Sequence, residues 1–490
     1  MEGGRPMRGE SVLYEAIYES ILTQLYSGVL RCGQALPSQQ ELCRRYHVGI
    51  TTIRRVVRML ERDGVIDTAS GRRAVVRLDV HDELCVNALL SRKESILDIY
   101  GGLELLMPAL YAQGARRCVD LPALYIHLEA VRGGAEQVEV YDQAVRFFTE
   151  LLVTYRNPVI LDLQSGMEHY SRIPHIVCSG LEDPYAITAD FVKSKLRDMY
   201  ELIAQGRTDE LICRLEQMYR DIKSRAKCYL KGLEERWPPA SVHIPYQWYS
   251  GKGRTHLYTV VARKLYRRIE AGEFVGRTYL PSVPEIMRTY SVSKDTACSA
   301  VALLSDIGLV RTLDKRGMVL REGDGLPPLR LEENVIGEHL VLCVDAMQIL
   351  AVCAGRLAFA AATCLPRDAA RSAAQAWEPI PRPGSARIVQ LLLDFLQRFT
   401  PCRCLRTILE QFDDLLIWGH YLNRLDWDAD KAAAQEAECR GYFDQLRGAL
   451  ARGDAERFSA GVQDVFRAAY DMALTQASRC VPAGRLPTAL

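Results

Sequence analysis

The chain has 490 residues, of which 48% are hydrophobic and 25% charged, and its net charge is +1. That length excludes a single hydrophobic core and predicts about three or four, while the composition is that of an ordinary soluble protein and the net charge carries no global signal of nucleic acid or a membrane surface. Charge is nevertheless uneven: Arg31–Arg77 holds ten Arg against four acidic residues, and 275–321 holds seven basic against four, so positive charge gathers in two segments.

The first residues, MEGGRPMRGES, lack an apolar core, and no signal peptide is expected. From Leu13 to Leu25, Ile17, Ile21, Leu22 and Leu25 fall on one face of a helix, which Gly28 is placed to end. "LPS" then opens a second helix, with Ser38 and Glu41 spaced as a capping box. A third helix begins near Gly49–Thr51, buries Ile53, Val56, Val57 and Leu60, and stops at Gly64. "GVIDTASGRRAVVRL" follows as a two-stranded hairpin with a basic tip. Three short helices and a basic hairpin make a winged helix-turn-helix, whose tight turn is "YHV".

The same series recurs. Pro37 and Pro281, Val48 and Val292, Thr52 and Thr296, and Gly64 and Gly308 are each 244 positions apart. The chain is close to twice that length, so the repeat predicts a duplicated protein rather than a duplicated motif. In the second copy Ser282 and Glu285 repeat the capping box, Ser293 is a better N-cap than Gly49, and "GLVRTLDKRGMVLRE" is the hairpin.

"LYSGVLRCGQALPSQQELCRRYHVGITTIRRVVRMLERDGVI" resembles the N-terminal domain of GntR-type bacterial transcriptional regulators. Gly28, Gly33, Leu36, Pro37, Ser38, Glu41, Leu42, Val48, Thr52, Arg54, Leu60 and Gly64 match that pattern, while Gly49 and Ile50 depart from its Ser-Arg. In copy two Val292, Ser293, Lys294, Thr296, Leu304 and Gly308 match, and Cys298 replaces the Arg. The resemblance implies a double-stranded DNA operator as partner, read by the N-terminal turn of the third helix. It places Gln40, Thr51, Thr52 and Arg54 at base or phosphate contacts, with Arg55 serving phosphate or solvent. The wing tips Gly71-Arg72 and Lys315-Arg316 reach the minor groove or its phosphates. Ser293, Lys294 and Thr296 keep phosphate-type contacts, and without the Arg copy two reads bases more weakly.

Each winged helix is followed by helical patterns and few strand signals. The expected fold class is therefore mainly α: winged helices at 8–80 and 250–322, and all-α bundles at 88–235 and 332–480, with linkers at 236–245 and 321–329 where Pro and Gly cluster. The apolar run Leu340–Leu365 is interrupted by Asp345, Gln348 and Arg356, and reads as a buried helix rather than a membrane span. The bundles resemble, more weakly, the effector-binding half of one GntR subgroup. On that alignment Ala144 and Phe148 stand where metal-binding Asp and His would be, and Ile388 and Leu392 stand there in the second half, so no metal is expected. Either an apolar pocket for a small organic effector or a dimerisation bundle fits these segments.

The leading reading is a cytoplasmic, nucleoid-associated regulator acting as a fused pseudo-dimer, without cofactor or enzymatic activity. Two others compete. A pyridoxal-phosphate enzyme would need an α/β body with Gly-rich phosphate loops where the second winged helix lies. A protein-interaction module with degenerate DNA reading is kept open by Gly49, Ile50 and Cys298.

Overall fold

The computed structural model describes the chain except for residues 1–16, 19–20, 23, 26–29, 31, 47, 69–72, 78–82, 118–119, 133–136, 174–188, 238–242, 249–256, 271–272, 275–278, 314–316, 321–333, 378–384 and 425–428. The expected wing tips Gly71-Arg72 and Lys315-Arg316, helix end Gly28 and linker 321–329 lie outside the described residues.

In the first winged helix, α1 (Gln39–Tyr46) and α2 (Ile50–Arg62) pack together and lead into a hairpin of β1 (Ile66–Asp67) and β2 (Val75–Val76). Register is Ile66 opposite Val76, with Ala35 bridging Val75 on the other side. The capping box forms: the Ser38 N–H donates to Glu41 at 2.8 Å and the Glu41 N–H donates to Ser38 Oγ at 3.2 Å. That pairing satisfies two N–H groups that a helix start leaves without intrahelical partners. Gly64 stops α2 with φ +71°, a backbone conformation that L side chains resist. Ile17, Ile21, Leu22 and Leu25 are buried with Ile53, Val56, Val57, Leu60, Ile66 and Val76 in a core separate from the rest of the protein.

The first helical body comprises α3 (Glu83–Ser91), α4 (Lys93–Ala115), α5 (Leu121–Ala130), α6 (Gln137–Val153), α7 (Pro158–Ser171), α8 (Ala189–Ala204) and α9 (Thr208–Glu234). The second winged helix is α10 (Leu257–Glu270), α11 (Val283–Tyr290), α12 (Lys294–Asp306), β3 (Val310–Leu313) and β4 (Gly317–Leu320). The second body is α13 (Asn334–Cys364), α14 (Arg367–Gln375), α15 (Ser385–Phe399), α16 (Arg403–Leu416), α17 (Trp418–Arg424), α18 (Ala429–Arg452) and α19 (Ala455–Ala477). Shifting α4, α5, α6, α7, α8 and α9 by 244 positions lands each on its counterpart α13, α14, α15, α16, α18 and α19. The duplication is thus carried by the helices as well as the motif.

The two bodies meet face to face. Helices α4 and α13 cross, α4 also packs on α16, and α13 packs on α7, which is the reciprocal pattern of a two-fold interface. Close approach is possible because Gly101 and Gly102 carry no Cβ; one added to Gly102 would stand 2.6 Å from Cys404 Sγ. Across this interface Asp98 caps α16, accepting from the N–H groups of Arg403 (2.9 Å) and Cys404 (2.6 Å). The Asn157 side-chain amide donates to the Asp345 carbonyl and to Gln348 Oε1, both at 2.9 Å.

The apolar run read as a buried helix lies in α13, where Cys343, Val344, Ile349, Leu350, Cys353, Ala354 and Ala358 are all buried. That helix is long and apolar enough to cross a membrane by composition, but most of it is covered by the rest of the chain. The described part of the expected linker 236–245 is not a free tether. The Ile244 carbonyl accepts from Ser95 Oγ (2.9 Å) and Tyr170 Oη (3.1 Å), and just beyond it Tyr246 and Trp248 are buried, Trp248 edge-on to Phe412.

Candidate nucleic-acid interface

Helix α2 presents its first turn to solvent. Its N-cap is Gly49 (φ −69°, ψ 155°), which offers no side-chain cap; the Thr52 N–H donates to the Gly49 carbonyl at 3.1 Å, and the Ile50 and Thr51 N–H groups face an outside acceptor. Ile50, Thr51 and Arg54 are exposed, as is Gln40 in the first turn of α1; Thr52 and Arg55 are half-buried. Arg54 has no ion-pair partner among the described residues. Farther along, Arg55, Arg58, Met59 and Arg62 line a shallow recess, with the Arg58 Nε donating to the Arg54 carbonyl at 3.3 Å. The Ser38 backbone N–H, then its hydroxyl, hold the Glu41 carboxyl below its usual range, committing it to the cap.

Copy two is built differently at the same turn. Ser293 caps α12, its Oγ accepting from the Thr296 N–H at 3.2 Å and lying 2.9 Å from Thr296 Oγ1. Ser293 and Thr296 are half-buried, and Lys294 and Cys298 are exposed. The positions equivalent to Arg55, Arg58 and Arg62 are Ser299, Ala302 and Asp306. The second helix therefore lacks the arginine row and retains a single cation, Lys294, in its first turn.

The two winged helices also differ in how they are held. In copy two, α10 is part of the core of the second body. Arg263, 1% exposed, donates from Nε to Asp413 at 3.1 Å, and its Nη2 reaches Gln390 and Asp413. Arg267 bonds Asp413 (2.6 Å) and Asp394 (2.7 Å). Burial pushes the Asp413 carboxyl upward, but Arg263 and then Arg267 outweigh this and hold it below its ordinary value. Beside it Asp414, lacking such pairing, is raised by burial to about 7. His420, against the Tyr266 ring, is lowered by burial to about 4 and stays neutral. In copy one the sequence offers Glu19, Thr23, Arg146, Glu150 and His169 at the positions of Arg263, Arg267, Gln390, Asp394 and Asp413, so the same joint cannot be built.

Sequence reasoning missed this joint, because its partners are 127 to 150 residues apart and carry no local signature. It also missed a polar group inside the first body. Gln164 donates to Tyr111 Oη (3.1 Å) and Glu168 (3.3 Å), and Thr149 reaches Gln164 (3.3 Å). Burial raises Glu168 to about 7, so much of it is protonated at neutral pH. The second body has Gly355, Ile408 and Phe412 where Tyr111, Gln164 and Glu168 stand. Ala144 and Phe148 are packed, the Phe148 ring 4.9 Å from Tyr111, and Ile388 and Leu392 are buried. Among the described residues no three His, Cys, Asp or Glu side chains converge as a metal site would require.

The family model for bacterial regulatory proteins of the gntR family matches residues 13–76 and 257–330, which are the two winged helices. The probable fructoselysine utilization operon transcriptional repressor of Escherichia coli K12 is 32% identical over 80 residues, 16% of this chain and 31% of that protein. The chain thus spans about a third of the length of that relative. The HTH-type transcriptional repressor YtrA of Bacillus subtilis 168 is 26% identical over 103 residues, 20% of this chain and 79% of YtrA. A solved GntR-family transcriptional regulator from Pseudomonas syringae pv. tomato aligns with 46% of this chain and 90% of its own at 19% identity, with a TM-score of 0.20.

Proposed function

We propose that this chain, whose two winged helices each match the gntR family model, is a sequence-specific DNA-binding transcriptional regulator that acts as a fused pseudo-dimer. The observation that carries this is the solvent-facing start of α2, where Ile50 and Thr51 stand at a helix start with no side-chain cap and the unpaired Arg54 follows one turn on. An Arg so placed can bond guanine O6 and N7 together, worth ~1–3 kcal/mol of discrimination. Copy one supplies most of the sequence specificity. Copy two, with Ser293, Lys294 and Thr296, supplies mainly affinity. Gly71-Arg72 and Lys315-Arg316 are assigned to the wing contacts.

The helical bodies join the two heads, so the second half-site contact is intramolecular and its effective concentration is high. The reciprocal packing of α4 on α16 and of α13 on α7 supports this pseudo-dimer. An organic effector, if the regulator uses one, is assigned to the first body, whose interior holds Tyr111, Gln164 and Glu168. The protein works on the bacterial chromosome, in the cytoplasm. The α/β body of a pyridoxal-phosphate enzyme has no counterpart among the described residues, where helices occupy both segments outside the wings.

Selection from a random duplex pool by the full-length chain tests the proposal. It predicts an enriched site with two unlike halves, bound by one ~55 kDa chain per duplex, with affinity falling steeply as salt rises. Failure to enrich any sequence, with salt-insensitive binding, leaves the protein-interaction reading instead.

A further inference from the structure

Resting on that DNA-binding reading, we infer that Ile50 reads the 5-methyl group of a thymine, and that this makes the half-site of copy one differ from that of copy two at one defined base pair. Ile50 is the first residue of α2 and is 38% exposed, one of few large apolar side chains so placed among the described residues. A lone exposed apolar residue needs no explanation by itself. Its surroundings supply one. Arg54 lies one turn on, at i+4, on the same face, and Thr51 is its exposed neighbour. The residue before it is Gly49, so no capping side chain stands between Ile50 and an approaching duplex; an added Cβ there would meet only Thr51 Oγ1, at 3.7 Å.

An isoleucine has no donor, acceptor or charge for a phosphate or for the polar edge of guanine, cytosine or adenine. The one apolar group in the major groove is the thymine methyl. Copy two puts Lys294 at the equivalent position, exposed and beside a properly capped helix start. An ammonium is drawn to phosphate and gains nothing from a methyl. The same step of the two helices is thus tuned to different chemistry, apolar in one and cationic in the other.

The test uses duplexes carrying the sequence that the full-length chain selects, with each thymine replaced in turn by deoxyuracil, which deletes only the methyl group. Wild type loses affinity about three- to five-fold at one thymine in one half-site, as expected for one buried methyl. Ile50→Ala abolishes sensitivity at that thymine and leaves the salt dependence unchanged, whereas Thr51→Ser, which removes the methyl of its exposed neighbour, retains it. Ile50→Lys loses the thymine preference at that base pair and strengthens binding to cognate and scrambled duplex alike. The inference is overturned if no thymine shows the loss, or if the loss persists in Ile50→Ala or vanishes in Thr51→Ser. Absence of any selected sequence defeats the DNA reading itself, which is a separate outcome.

Discussion

Replacing Asp413 by Ala tests the joint between the second winged helix and its helical body. The carboxylate is 5% exposed and serves two guanidinium groups: Arg263 Nε at 3.1 Å, and Arg267 at 2.9 and 2.6 Å from Nε and Nη2. Arg267 keeps Asp394 after the substitution, but Arg263, fully buried, loses its carboxylate hydrogen bonds and keeps the neutral Gln390 and the Tyr266 ring. Removing one partner of a buried pair leaves an uncompensated charge and costs ~3–5 kcal/mol, a large share of the ~5–15 kcal/mol that a folded protein holds. The five tryptophans all lie between 237 and 427, so urea unfolding followed by their fluorescence reports this region and is blind to the first winged helix. The Arg263→Met/Asp413→Leu double variant, which removes both charges and fills the volume, is expected to recover most of the loss. The acid limb gives a second readout. Because Asp413 titrates below its unfolded value, its contribution is present above about pH 4 and is lost as pH falls below that. A loss under ~1 kcal/mol in the single variant, or a double variant as unstable as the single, would refute the electrostatic account of the joint.

In operator binding, Arg54→Ala is expected to relax specificity between cognate and scrambled duplex, while Lys294→Ala weakens both alike; the reverse order would sink the assignment of reading to copy one. Gly114→Ala should destabilise the first body by ~1–3 kcal/mol, because the new Cβ would stand 2.2 Å from the Leu151 carbonyl oxygen; an unchanged melting temperature would show that α4 and α6 can separate freely. For Glu168 the folded value of about 7 exceeds the unfolded one, so its own contribution to stability is full below about pH 4 and declines as pH rises through 7. Glu168→Gln should flatten that decline when the variant is compared with wild type from pH 5 to pH 8, a comparison that cancels the similar titration of Asp414.

What was legible in the sequence was local. The capping boxes at Ser38–Glu41 and Ser282–Glu285, the Ser293 cap and the burial of Ile53, Val56, Val57 and Leu60 all depend on residues within one or two turns of each other. The constant offset of 244 carried that reading from one copy to the other. What was not legible depends on helices meeting across long separations. Arg263 looks like any surface Arg of an amphipathic helix until Asp413 and Gln390 are brought to it. Tyr246 and Trp248 follow a Pro-rich stretch that reads as a tether, yet both are buried, Tyr246 against Tyr170 and Trp248 against Phe412. Likewise, Asp98 and Asn157 carry no sign in their own neighbourhoods that they hold the other half.

Those last two residues have a consequence for how such a protein can change. In a symmetric dimer every interface residue occurs twice, so a substitution strikes both copies of its contact at once and must be acceptable in both. Here the counterpart of Asp98 is Leu342 and that of Asn157 is Pro401, and neither can make the reciprocal bond. Each contact exists once. A substitution is therefore felt once, at half the energetic cost of its effect in a homodimer, and can be compensated from the other half by a single change. Two halves in one chain carry two surfaces free to drift apart by one bond at a time, while the tether keeps the matching half at high effective concentration.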